Sequence, residues 1–319
     1  MEAELLIQNG NNVYSPAVQE GIEWSTERSG SSGKLTFKIL DDKKLKIAEG
    51  NAVRFKYKNK KVFYGFIFTR KFDKGVITVT AYDQLRYLKN KDTYAYSNKT
   101  LSWLVKNIAS DFGLRKGTIE DTKYKIPSRV EDNQTLFDII GNAQDLTMMN
   151  KGKMYVLFDD FGKLSLKSIS KMKVNIVIDE ETGQSYDYES SIDSETYNKI
   201  KLYRDNKETG KREIYIAKST KNMNAWGTLQ YYEKLEDGEN GKIKANALLN
   251  LYNAKKKKLS IKNAVGDYRV RVGSMVVVSM KIDNTKILRY MLVEKCKHTY
   301  KDGEHWMDLT LRGGEFNDE

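Results

Sequence analysis

The sequence predicts an α+β, mainly β fold: two small antiparallel β-barrels related by internal duplication, with an inserted small α+β module. Three observations lead there. One strand-turn-strand program is written twice, more than two hundred residues apart. Both copies alternate apolar and polar residues with period two, and between them the apolar spacing changes to that of amphipathic helices.

The first copy opens at Lys34-Leu35-Thr36-Phe37-Lys38, reaches Glu49-Gly50 with Val53 three residues on, passes Tyr64, turns at Lys74-Gly75 and ends in Ile77-Thr78-Val79-Thr80-Ala81. The second opens at Lys258-Leu259-Ser260-Ile261-Lys262 and reaches Val272-Gly273 with Val276 three residues on. It passes Tyr290, turns at Asp302-Gly303 and ends in Met307-Asp308-Leu309-Thr310-Leu311. From opening lysine to marked glycine the spacing is 16 residues in one copy and 15 in the other. Leu35, Phe37 and Ile39 alternate with Lys34, Thr36 and Lys38, and Val53, Phe55 and Tyr57 alternate with Arg54, Lys56 and Lys58, the pattern of half-buried antiparallel strands. Glycine at each turn supplies the positive φ of a tight hairpin. Ser29-Gly30-Ser31-Ser32-Gly33, between β segments, reads as a flexible hairpin tip rather than a phosphate-binding loop.

Between the copies, Leu101, Leu104, Val105, Ile108 and Phe112 take helical spacing, with Gly113 placed to end the helix. A second helix is expected from Gln134 to about Thr147, where Leu136, Ile139, Ile140 and Ala143 share a face and Thr135-Leu136 echoes Thr100-Leu101. Met154 to Phe158 and Lys163 to Leu166, joined through Asp159-Asp160-Phe161-Gly162, spell a hairpin. A further hairpin is expected from Tyr197–Tyr203 and Glu213–Ala217 around a Lys207-Glu208-Thr209-Gly210 turn. A helix near 242–257 then carries Ile243, Ala247, Leu248, Leu251 and Tyr252 on one face. Lys255 to Lys258 fall in its last turn, where they would offset the macrodipole. The expected division is 1–93 for the first barrel, 94–183 for the inserted module and 184–319 for the second barrel with its helix.

Composition narrows the function classes. The 319 residues suffice for two or three domains, 31% of them are charged and 11% aromatic, twenty of these being tyrosine, and this composition suits a folded, β-rich chain. No apolar run approaches the length of a membrane helix, and Met1-Glu2-Ala3-Glu4 is acidic where a signal peptide is basic, so synthesis and folding in a cytoplasm are expected. A single cysteine, Cys296, excludes an intrachain disulfide, and the only two prolines argue against Pro-rich linkers. The net charge of +12 raises nucleic acid as a partner, but the lysines are dispersed along strand faces.

Catalytic chemistry finds little to stand on. Cys296 and His298 lie two apart in an expected strand and share a face, the minimum for a thiolate-imidazole pair or half a metal site, while His305-Trp306 follows a glycine turn and reads as a strand pair. Asp159, Asp160, Glu180 and Glu181 sit in turns, with no sign of a cleft to unite them. No P-loop, dinucleotide fingerprint or serine-hydrolase elbow is present. Catalytic, cofactor and metal residues are therefore expected to be absent.

Taken in order, the segments resemble the XkdQ/YqbQ-type baseplate hub proteins of phage tails, prophage-derived particles and contractile bacteriocins. The likeness lies in Ile22-Glu23-Trp24-Ser25 leading through the Ser/Gly stretch to Leu35-Thr36-Phe37-Lys38-Ile39, in the Thr-Leu helices at Thr100 and Thr135, and in Gly162-Lys163-Leu164-Ser165-Leu166. It continues through Ser190-Ser191-Ile192-Asp193 before Tyr197-Asn198-Lys199-Ile200 and Ala245-Asn246-Ala247-Leu248-Leu249 before Leu259-Ser260-Ile261. It ends in Gly266-Asp267, Arg269-Val270-Arg271-Val272-Gly273 and the last hairpin from Lys297-His298-Thr299-Tyr300. The resemblance implies a non-catalytic hub without cofactors: a homotrimer whose duplicated barrels form a pseudo-hexameric ring, adapting a sixfold tail tube to a threefold spike. The implied partners are further copies, the tube protein, the spike protein and other baseplate or wedge subunits, with no membrane, in a virion or tail-like particle. The charge motivates one more expectation, transient contact with DNA in the lumen. The competing classes are a tail-associated cell-wall hydrolase and a basic DNA-binding module.

Overall fold

The computed structural model describes residues 3–28, 30–42, 44–193, 195–206, 210–235, 239–282 and 285–313. Met1, Glu2, Ser29 and the Lys207-Glu208-Thr209 part of the expected turn lie outside the described residues. Strand outweighs helix 54% to 19%, so the fold is mainly β. The chain begins with β1 (Ala3–Asn9), β2 (Asn12–Tyr14), β3 (Val18–Glu27), β4 (Lys34–Leu40), β5 (Ala52–Tyr57), β6 (Lys60–Asp73) and β7 (Val76–Tyr82). A 3-10 turn leads into β8 (Lys91–Tyr96), β9 (Lys99–Thr100), α1 (Leu101–Asp111), β10 (Lys116–Ile119), β11 (Lys125–Ile126), β12 (Arg129–Thr135), α2 (Leu136–Lys151), β13 (Tyr155–Asp159) and β14 (Leu164–Ser168). Then come β15 (Lys173–Ile178), β16 (Ser185–Ser191), β17 (Lys199–Asp205), β18 (Arg212–Lys218), α3 (Thr220–Trp226), β19 (Gln230–Lys234) and α4 (Gly241–Tyr252). The last four strands are β20 (Lys256–Val265), β21 (Met275–Ile282), β22 (Thr285–Lys301) and β23 (Glu304–Gly313).

The duplication is visible in the strand pairing. The first unit runs β1-β5-β6-β7-β4-β3 and the second β15-β21-β22-β23-β20-β16, so each strand of one has a counterpart in the other. All five pairings of each unit are antiparallel, except that β15 joins β21 in parallel. Fine details repeat as well. Gly50 and Gly273 both have φ +83. Each donates its N–H to the partner strand, to Ile67 O at 2.8 Å and to Val293 O at 2.9 Å. Both partner strands then bulge one residue later: Ile67 faces Ala81 and Thr69 faces Thr80, while Val293 faces Leu311 and Lys295 faces Thr310. The hairpin turns match too, with φ +42 and +81 at Lys74-Gly75 and +53 and +79 at Asp302-Gly303, the two positive values of a type I′ turn.

Each unit curls around its own core. β22 and β5 stand five positions apart in the strand order, which a flat sheet would spread over roughly 24 Å at about 4.8 Å per strand. Yet the Tyr300 ring of β22 lies 5.0 Å from Phe55 and 4.9 Å from Tyr57, both on β5. Curling of this sheet is the geometry that brings them together, over a core that includes Leu35, Phe37, Val53, Phe55 and Val79. In the second unit a tight turn joins the two ends of the order: Gly183 N donates to Asp179 O at 3.2 Å and Thr182 N to Asp179 Oδ1 at 2.9 Å. Leu259, Ile261, Val276, Val293 and Leu309 fill that core.

Two inserts interrupt the repeated pattern. The first, between β7 and β15, holds α1 and α2 as the spacing predicts. Thr100 Oγ1 accepts from Trp103 N and Thr135 Oγ1 from Asp138 N, each at 3.1 Å, so the two Thr-Leu pairs are N-caps. Leu104, Val105 and Ile108 of α1 share a core with Ile139, Ile140 and Ala143 of α2. The second insert, β17 to α4, occupies in the second unit the β16–β20 connection that the Ser/Gly tip occupies in the first. Its own core contains Ile200, Leu202, Ala217, Ala245 and Leu248. The helix α3 within it gives no sign in the sequence reading. One expectation is corrected: α4 ends at Tyr252 with no lysine in its last turn, and Lys256 to Lys258 open β20 instead. Strand pairing overrides the helical spacing there, since Lys258 faces Glu189 of β16 on one side and Arg312 of β23 on the other.

The two marked glycines differ in one respect that can be measured. A Cβ on Gly50 would meet nothing within 4 Å, whereas one on Gly273 would come within 2.6 Å of buried Val156 in the first insert. Gly50→Ala should lower unfolding stability by about 1 kcal/mol through its positive φ alone. Gly273→Ala should cost clearly more, and denaturant titration of the two variants checks the order.

Candidate assembly interface

One strand pairing makes the two units a single sheet. In its first half β22 pairs with β21, and past the bulge its same edge pairs with β3, from Lys295 opposite Glu27 to Tyr300 opposite Ile22. Its length makes this possible: at 17 residues it outruns β21 and leaves an edge that an extended segment can complete. Trp24, Ile22, His298 and Tyr300 point inward and are buried, while Glu23, Glu27, Lys295 and Lys297 point out.

The inward side is stacked and hydrogen-bonded. The rings of Trp24 and His298 lie 4.8 Å apart, and those of Tyr300 and His305 4.1 Å apart. His298 Nε2 lies 2.8 Å from Val270 O, which can only accept, so Nε2 carries the proton. His298 Nδ1 then accepts from His305 Nε2 at 2.8 Å. Burial above all, and then the neighbouring His305, holds His298 down to about 3, and burial holds His305 down to about 4. Outside, Lys295 meets Glu27 at 2.6 Å and Lys297 meets Glu23 at 3.4 Å. Exposed pairs of this kind contribute about 0–1 kcal/mol each. Burying one tryptophan is worth roughly 4–6 kcal/mol by area, so packing dominates and the charges set register.

A buried polar knot ties the first insert to this seam. Arg271 Nη1 donates to Asp159 O at 2.7 Å, and its guanidinium lies 5.3 Å from the Trp24 ring centroid and 5.2 Å from that of Phe158. Asp83 accepts from Gly33 N at 2.9 Å and from Leu85 N at 3.0 Å, and Val272 N donates to Thr26 Oγ1 at 3.2 Å. Burial, with Asp159 nearby, raises the Asp83 carboxyl well above the usual range, and burial lifts Asp159 to about 6. Asp83 gives no sequence signal of this role, because its partners are contributed by segments distant in the chain.

The residues weighed for chemistry take structural places. Cys296 Sγ does lie 3.0 Å from His298 Nε2, but the pair is fully enclosed and burial raises the thiol far above its usual range. No thiolate forms there, and the imidazole stays neutral. Asp159 is buried in the knot, Glu180 Oε1 caps Lys281 N at 2.9 Å, and Glu181 lies in the turn after β15. These carboxylates do not line a common cleft. Among the described residues no three His, Cys, Asp or Glu side chains group as metal ligands. A groove of about 600 Å³ runs over the outer side of the seam, lined by Lys34, Lys89, Lys262, Lys295 and Lys297. Lys262 and Lys297 share Asp308, at 3.4 and 3.5 Å, so carboxylates neutralise much of that charge.

The titrations pull in opposite directions. His298 and His305, depressed in the fold, contribute stability that is present above about pH 6.5 and lost as pH falls towards 4. Asp159, raised to about 6, contributes in the reverse sense, most below about pH 4. Asp83, also raised by burial, acts in the same sense as Asp159, so the test is the change in slope of the urea midpoint from pH 7 to 4 relative to the native protein. On acidification His305→Gln should lose less stability than the native protein, and Asp159→Asn should lose more.

The chain is similar to known proteins in sequence and in fold. A family model described as YQBQ-like matches residues 22–312. The chain is 34% identical over 301 residues to the phage-like element PBSX protein XkdQ of Bacillus subtilis, covering 92% of this chain and 90% of that one. Its fold is similar to the 43 kDa tail protein of prophage MuSo2 from Shewanella oneidensis, with a TM-score of 0.70 at 13% identity, covering 97% and 98% of the two chains. It is also similar to an Escherichia coli component of the type VI secretion system, itself described as structurally similar to bacteriophage T4 tail proteins. The TM-score there is 0.59 at 11% identity, covering 99% of this chain and 77% of that one. The chain belongs to the YQBQ-like family.

Proposed function

We propose that this YQBQ-like protein is a structural component of a phage-like tail and, within it, the baseplate hub: a trimeric, pseudo-hexameric ring that adapts a sixfold tail tube to a threefold spike. Family membership and the likeness to a prophage tail protein support the structural tail role. The duplication is the observation that carries the finer reading. One chain presents the same six-strand unit twice, edge to edge, with different inserts on each. Three chains in a head-to-tail ring would offer six near-equivalent units on one side, while their unlike inserts repeat only three times. The number three comes from the resemblance described above.

In this reading the chain divides at 1–93, 94–183 and 184–319 into first barrel, inserted module and second barrel, with β15 at the end of the middle segment lending its strand to the second barrel. Its partners are other copies, the tube, the spike and neighbouring baseplate subunits, and its place is the assembled particle. The hub implied by the resemblance is non-catalytic, and the one thiol, Cys296, is enclosed. Exposed Ile214, Ile216 and Tyr232 on the small sheet of the second insert offer an apolar face for one of those neighbours.

Light scattering of the purified protein, alone and with the candidate spike and tube proteins, tests the ring. Three copies of 36.8 kDa give about 110 kDa, the mass expected for the hub or its core. A 36.8 kDa species under every condition would remove the ring reading.

A further inference from the structure

The seam inside the chain has an unfilled twin. By the matching bulges and pairings, Thr69, Arg70, Lys71 and Phe72 of β6 stand where Lys295, Cys296, Lys297 and His298 stand in β22. In β22 that edge is completed by β3. In β6, among the described residues, no strand pairs with it. The counterpart of β3 is β16, which faces β20 as β3 faces β4, with Tyr188 opposite Leu259 where Trp24 is opposite Leu35. β16 stands at the end of the sheet order, and among the described residues its other edge is open.

We infer that the β6 edge of one copy pairs antiparallel with the β16 edge of the next, repeating the β3–β22 seam between chains. Carried over residue by residue, the intrachain register sets Ser191 opposite Thr69, Ser190 opposite Arg70, Glu189 opposite Lys71 and Tyr188 opposite Phe72. Three observations fit. Phe72 is 58% exposed at the position where His298 is 0% exposed, so the open edge shows an apolar ring of the kind that the filled seam covers. Tyr188 on Phe72 replaces the Trp24–His298 ring stack. Lys71 faces Asp187 and Glu189 as Lys297 faces Glu23, keeping a basic strand against an acidic one. The pairing ends at Phe72 because the first hairpin turns two residues earlier past its bulge than the second. Such a contact is heterologous: each chain gives one edge and receives another, which closes into a ring when the rotation allows.

This inference rests on the ring reading, and a cross-link separates the two. Lys71→Cys with Glu189→Cys places one new thiol on each edge, both on exposed positions, and Cys296 is too deeply enclosed to compete. Oxidation of the assembled variant should convert the monomer band on a non-reducing gel into species of two and three linked chains. Lys71→Cys with Ser185→Cys, out of register, should leave it unlinked. Reversing one charge, Lys71→Glu, should weaken assembly roughly tenfold, and adding Glu189→Lys should restore it. A three-copy particle that gives no cross-link with the in-register pair would overturn the proposed edge pairing while leaving the hub intact. A protein that stays monomeric with spike and tube present would overturn both.

Discussion

The architecture depends on β3 having both edges occupied, one by β4 of its own unit and the other by β22 of the second. An antiparallel edge left open presents unmet N–H and C=O groups, and the chain satisfies this one internally across more than two hundred and fifty residues of sequence. The pairing fixes where the second unit sits relative to the first. It also buries Trp24 against the stacked imidazole of His298 and near the Arg271 guanidinium, and through Arg271 it locks the β13–β14 turn of the first insert onto the junction. Sheet, seam and insert are in this way one mechanical body.

Duplication followed by divergence accounts for the asymmetry between the two units. The backbone devices persist in both: the left-handed glycine, the bulge one residue after its partner, and the type I′ turn. The side chains on the two outer edges differ in a consistent direction. Where the intrachain seam is filled, the positions hold buried rings with a depressed histidine, and where it is open they hold exposed Phe72. The inserts occupy different connections, between β7 and β15 in one case and between β16 and β20 in the other. One face of a ring built from the chain would therefore be nearly uniform and the other would alternate.

Local structure was largely legible in the sequence, because its signals are local. The alternation from Leu35 to Ile39, the glycines at 75 and 303, the Thr100 and Thr135 caps and the hairpin through Gly162 all depend on neighbours a few residues away. The seam itself was not legible: nothing near Trp24 specifies a partner near His298, and both read only as strand. The same holds for Asp83 and Arg271, which meet through folding. Lys255 to Lys258 misled because lysines suit a helix end as well as the exposed face of a strand, and the choice was made by pairing with β16 and β23. Cys296 and His298 share one face, as their spacing predicts, but burial decides their chemistry and the spacing does not report it.

Hydrogen exchange on the free chain and on the assembled particle bears most directly on the claim that one edge pairing is used both within and between chains. Amides of Ile22–Glu27 and Lys295–Tyr300 should exchange slowly in both states. Within Thr69–Phe72 and Tyr188–Ser191, the amides that face away from β7 and β20 should exchange quickly in the free chain and slowly once assembled. Fast exchange persisting at these outward amides of both segments in the assembled particle would contradict the account.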